Sequence, residues 1–73
     1  MTDRRWIEAF AAELGLDPPT DREWELVLQL AGCAAHASQR TAAPLACWLG
    51  AASGRGLEEL LAIAERIPAD EAA

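Results

Sequence analysis

Proline and glycine cut this chain into short pieces, and each piece carries apolar residues at helical spacing. Gly15 is a natural stop for the first piece. Asp17-Pro18-Pro19 makes a rigid connector after it. Pro44 fits only the first turn of a third piece. Gly54-Arg55-Gly56 makes a flexible turn, and Pro68 ends the last piece. The pattern predicts an all-α fold, a compact bundle of four short helices with helix two at the centre. At 73 residues the chain reads as one helical domain, 1–73, with a tail that frays after Pro68.

Helix one is predicted from about Asp3 to Leu14, with Trp6, Ile7, Phe10 and Leu14 on one side. Asp3 suits the positive end of its dipole. Helix two is predicted from about Asp21 to Ser38. It opens on a capping box, because Glu23 stands three residues after Thr20. Trp24, Val27, Leu28, Ala31, Ala34 and Ala35 form one stripe. Leu26, Leu30, Cys33 and Ala37 widen it to an arc of about 200°, broader than a simple surface helix shows. Helix two is then either the central helix or one with a second, partner-facing stripe.

Helix three is predicted over Ala43 to Ala52, with Thr41 as its cap and Leu45, Trp48, Leu49 and Ala52 as its apolar side. It carries no charge, so burial on most sides is expected. Helix four is predicted from Leu57 to Ile67, with Leu57, Leu60, Leu61, Ala64 and Ile67 inward. Trp6, Trp24 and Trp48 each sit within an apolar stripe and read as core filling. Tryptophan is also an interface anchor, so at least one half-exposed ring is compatible with the pattern.

The net charge is −6, with six arginines and no lysine. That balance lacks the basic stripe that phosphate backbones and anionic lipid surfaces require, so no nucleic acid and no membrane is expected as partner. Met1 leads straight into Asp3, Arg4 and Arg5, so no signal peptide is expected. The longest uncharged run, Thr41 to Gly54, is shorter than the ~20 residues of a spanning helix. The expected compartment is the cytoplasm, with Cys33 and Cys47 reduced. Chains below roughly 70–80 residues often need association to stabilise a small core, which makes a protein partner or a homodimer plausible.

Few constellations carry chemistry. Cys33, His36 and Cys47, with Glu25 as a fourth group, could supply metal ligands, but small cysteines in an alanine-rich core are the ordinary reading. No metal and no cofactor is expected. Ser38 and Ser53 have only His36 as a base, with no acid to orient it, so no enzyme is expected. Ser53-Gly54-Arg55-Gly56 is too short for a phosphate cradle. The small residues Ala46, Gly50 and Gly54 recur every four positions; intrachain packing is preferred there over a dimer seam. A carrier domain would need an Asp-Ser-Leu attachment site where this chain has Thr20-Asp21-Arg22. His36 and Arg40 lie four residues apart on the polar side of helix two. They form either an anion or carboxylate contact or a helix-end pair suited to the dipole, and the residues alone favour the latter.

The stretch from Ala35 to Gly54 resembles a small actinobacterial helical domain of unknown function. That domain occurs alone or fused to molybdenum cofactor guanylyltransferase, which builds the molybdopterin guanine dinucleotide. The resemblance rests on the Ala35-His36 pair, Arg40, Ala43-Pro44-Leu45, Trp48-Leu49 and Gly50, with Trp6 and Leu14-Gly15-Leu16 similar to the family's start. It implies a context of molybdenum cofactor assembly and gives weight to His36, Arg40 and Pro44 as a partner or anion contact. Cys33 and Cys47 lie outside the family's pattern. The expected function is a non-catalytic protein-interaction or accessory module linked to that guanylyltransferase; the alternative is a small structural homo-oligomer with no catalytic partner.

Overall fold

The computed structural model describes residues 1–69 and forms four α-helices: α1 (Asp3–Leu14), α2 (Asp21–Ala37), α3 (Ala42–Ser53) and α4 (Leu57–Glu65). Most of the tail expected to fray after Pro68 falls on residues 70–73, which lie outside the described residues.

Each helix end follows from local chemistry. The Thr2 hydroxyl accepts from the Arg5 amide at 3.2 Å and caps α1. At its other end Gly15 takes φ 74°, the Gly15 amide donates to Ala12, and the Leu16 amide donates to Ala11 at 2.9 Å. This is the Schellman arrangement, which glycine's freedom at positive φ permits. The capping box of α2 is complete. Thr20 Oγ1 accepts from the Glu23 amide at 3.1 Å, and Glu23 Oε1 accepts from the Thr20 amide at 2.8 Å.

Four boundaries differ from the sequence reading, one of them the end of α3, at Ser53 rather than Ala52. Helix α2 stops at Ala37, because Ser38 leaves helical backbone at φ −139° and ψ −97°, while its amide and hydroxyl both donate to the Ala34 carbonyl. Helix α3 starts at Ala42 without a side-chain cap. Thr41 already has helical dihedrals, φ −66° and ψ −16°, so its hydroxyl does not cap the helix. Pro44 keeps its expected place in the first turn, where a missing N–H leaves no intrahelical bond unmade. Helix α4 ends at Glu65 rather than Ile67, since the residue before Pro68 is steered away from helical backbone.

Helix α2 is central, as expected, and uses its wide apolar arc twice. Leu26 and Leu30, each 4 % exposed, face α3 and α4. Trp24, Val27 and Leu28 border a groove of 330 Å³ whose other wall is Asp3 and Ile7 of α1, with Pro19 of the connector. Helix α1 is held there by Arg4, which lies 4.5 Å from the Trp24 ring centroid and 2.9 Å from Asp21 Oδ1. The ion pair is exposed and contributes ~0–1 kcal/mol; the guanidinium over the indole adds a cation–π contact of about the same size.

The large side chains of α1 and α3 are not core, contrary to the sequence reading. Trp6, Phe10 and Leu14 are about half exposed, and α1 buries only Ala11. Helix α3 buries Gly50 and turns Leu45, Trp48 and Leu49 outward, with Trp48 at 70 % exposure. Of the three tryptophans only Trp24 is half-buried. The reason lies at Gly50. A Cβ there would come within 2.8 Å of Leu60 Cδ1 and 3.7 Å of Leu30 Cδ2. Helices α3 and α4 approach closely only because the inward edge of α3 is small. Gly54 caps α3 at φ 74°. Gly50 therefore serves intrachain packing, as expected, while Gly54 is a helix stop.

Replacing Leu30 with Ala removes a core side chain and is expected to cost ~2–5 kcal/mol of unfolding free energy. The neighbouring Leu28→Ala, at a position 58 % exposed, is expected to cost about 1 kcal/mol or less. Urea denaturation of both variants checks the difference; equal losses would contradict the assigned core face.

Candidate partner-contact surface

His36, Arg40 and Pro44 lie along the α2–α3 junction. His36 stands in the last turn of α2, Arg40 in the connecting turn and Pro44 in the first turn of α3, and all three are exposed. The turn is closed by the backbone alone: the Ala42 amide donates to Gln39 at 2.9 Å and the Ala43 amide to Arg40 at 3.1 Å. The Ser38 hydroxyl donates to the Ala34 carbonyl in the last turn of α2. Ion pairs among the described residues engage Arg4, Arg22 and Arg55 with Asp21, Glu25 and Glu59. Arg40 joins none of them. Among the described residues the helix-end reading of Arg40 therefore has no hydrogen bond behind it, and Arg40 is exposed.

Beside this corner lies the outward face of α3. Pro44 and Trp48 are four residues apart and share that face with Leu45 and Leu49. Leu45 and Leu49 also border a groove of 380 Å³ toward α2 and α4, floored by Cys33, Ala46 and Ala64 and closed by Ile67. Apolar rings in the open beside a free guanidinium have the anatomy of a protein contact: an apolar centre with a polar rim. Contiguous exposed apolar surface of this kind marks sites where something docks.

Cys33 and Cys47 are both free thiols and half-buried. Burial pushes the Cys47 thiol up from its ordinary value of 9.0. Among the described residues no group of three or more His, Cys, Asp or Glu is placed to hold a metal ion. The sequence reading placed Leu45, Trp48 and Leu49 in the core, whereas all three are exposed. The signal that could have found them is the missing charge on α3, which gives an all-apolar helix no preferred inward side.

Against known proteins, the model of a family described as a domain of unknown function (DUF6457) matches residues 2–73. No curated protein matches the chain, and no solved structure does. No helix among the described residues is long and apolar enough to cross a membrane.

The raised pKa of Cys47 fixes the sign of one pH effect. The folded state holds the thiol proton more tightly than the unfolded chain does. The resulting stability is fully present below pH 9.0 and is lost as pH rises through the folded value. Thermal melts between pH 8 and 10 are expected to fall less steeply in Cys47→Ala than in the parent; identical slopes would contradict the burial of this thiol.

Proposed function

This chain belongs to the DUF6457 family, a domain of unknown function, and from its own surface we propose that it is a non-catalytic protein-interaction module. The observation that carries the reading is the uncovered, charge-free side of α3, with Trp48 at its centre and Pro44 and Arg40 at its rim. Tryptophan and arginine are the residue types that most often carry binding energy at protein contacts. Pro44 stiffens the start of the helix, which lowers the ordering cost on binding. His36 and Arg40 supply donors for a partner's carboxylate or other anion.

The sequence resemblance directs the partner assignment. We propose that the domain serves as an accessory to molybdenum cofactor guanylyltransferase, docked through the α3 face and the His36–Arg40 corner. Chemistry on this domain itself is not proposed, because no nucleophile, base and orienting acid stand together in the sequence or on this surface.

Calorimetric titration of the purified chain with the host's molybdenum cofactor guanylyltransferase tests both parts. Arg40→Ala is expected to weaken the complex about tenfold with an unchanged melting temperature, and Trp48→Ala more strongly. No binding by the parent chain would remove the guanylyltransferase. Binding that ignores both variants would remove the site. A melt lowered by Arg40→Ala would return Arg40 to a structural role.

A further inference from the structure

Helix α1 carries a second apolar ridge, separate from the α3 face and independent of its proposed partner. Trp6, Phe10 and Leu14 recur every four residues along it, and about half of each side chain is left open by the rest of the chain. The Trp6 and Phe10 rings stack at 5.2 Å between centroids with 26° between planes. The ridge is thus ordered before anything docks on it, which reduces the side-chain entropy lost on binding. Such four-residue ridges pack into the grooves of a facing helix.

One edge of this ridge carries a charge pattern that selects the occupant. Arg5, Ala9 and Glu13 also recur every four residues, on the edge away from α2, and all three are exposed. Among the described residues neither Arg5 nor Glu13 joins an ion pair. In an antiparallel pair of identical helices this row faces itself reversed. Arg5 of each copy then meets Glu13 of the other, and Ala9 lets the backbones approach where the twofold axis passes. A parallel pair would set this row against the opposite edge of the partner's ridge, so the reciprocal Arg5–Glu13 match belongs to the antiparallel form alone. The row is neutral even though the chain carries −6, so two copies can meet here without the repulsion that the rest of the surface would impose.

The area is adequate. The exposed parts of Trp6, Phe10, Leu14 and Leu16 offer on the order of 450 Å² of apolar surface per copy. The flanking row brings each side toward the roughly 800 Å² that a stable interface takes from one partner. The need is also present: the buried hydrophobics among the described residues are Ala11, Leu26 and Leu30, a small core for a chain of this length. We propose that a second copy of this chain covers α1, forming a twofold dimer through antiparallel Trp6–Phe10–Leu14 ridges locked by reciprocal Arg5–Glu13 pairs. Its contact is isologous, so it closes on itself and leaves the α3 faces open.

Sedimentation equilibrium of the full chain, with far-UV circular dichroism on each variant, tests the assignment. The parent should sediment at twice 7.8 kDa. Arg5→Glu should raise the dimer dissociation constant about tenfold, and the double variant Arg5→Glu/Glu13→Arg should restore it to within about threefold of the parent. Phe10→Glu should give a helical monomer. A parent that sediments as a monomer at high micromolar concentration would overturn the proposal. So would a dimer indifferent to Arg5→Glu, or one broken by Trp48→Glu and untouched by Phe10→Glu. Failure of the guanylyltransferase titration would leave this result unaffected.

Discussion

The approach of α3 to α2 and α4 at Gly50 governs the rest of this structure. The space that a side chain would take there is filled by Leu60 and, slightly farther away, by Leu30. Packing this close demands a small edge on α3, and Gly50, Ala46, Cys47 and Ala43 supply it. Once that edge faces inward, helical geometry forces the opposite edge outward. Leu45, Trp48 and Leu49 then have no protein to cover them. The exposed face of α3 is a geometric consequence of the close contact on its other side.

The same accounting explains why the domain has so little interior. Helix α2 meets α3 and α4 through Leu26 and Leu30 and meets α1 through Trp24 and its neighbours. Helix α1 adds only Ala11 to the buried set. Its attachment relies on Arg4, which lies over Trp24 and also reaches Asp21, and such surface contacts are individually worth little. Two apolar surfaces remain, the α3 side and the α1 ridge. Their edges differ: Arg40 and Pro44 flank one, whereas Arg5 and Glu13 flank the other. That difference separates a contact suited to an unlike partner from one suited to a second copy.

The elements themselves were legible in the sequence. Gly15, the Thr20–Glu23 capping box, Pro44 in a first turn and Gly54 as a stop act through bonds and dihedrals within a few residues, so local sequence specifies them. The ends of α2 and α4 moved by one and two residues because Ser38 leaves helical backbone and Pro68 constrains Ile67. The facing of α1 and α3 was not legible. Hydrophobic pattern marks an inward side only where the other side is polar. Helix α3 has no polar side, and its direction was decided by steric fit at Gly50, a contact between residues distant in the chain. The stack of Arg4 on Trp24 is a long-range pairing with no local signal for the same reason. That His36 and Pro44 stand on either side of one connecting turn followed from the helix ends alone.

The outward orientation of α3 is the central claim, and Trp48 reports on it directly. A variant carrying Trp6→Phe and Trp24→Phe leaves Trp48 as the sole indole. Its fluorescence emission and acrylamide quenching read the exposure of that one ring in the folded chain. An outward Trp48 gives red-shifted emission and quenching close to that of a free indole, with far-UV circular dichroism still helical. Blue-shifted emission from a ring shielded from acrylamide, in the absence of any other protein, would place Trp48 in an interior and overturn the outward orientation of α3.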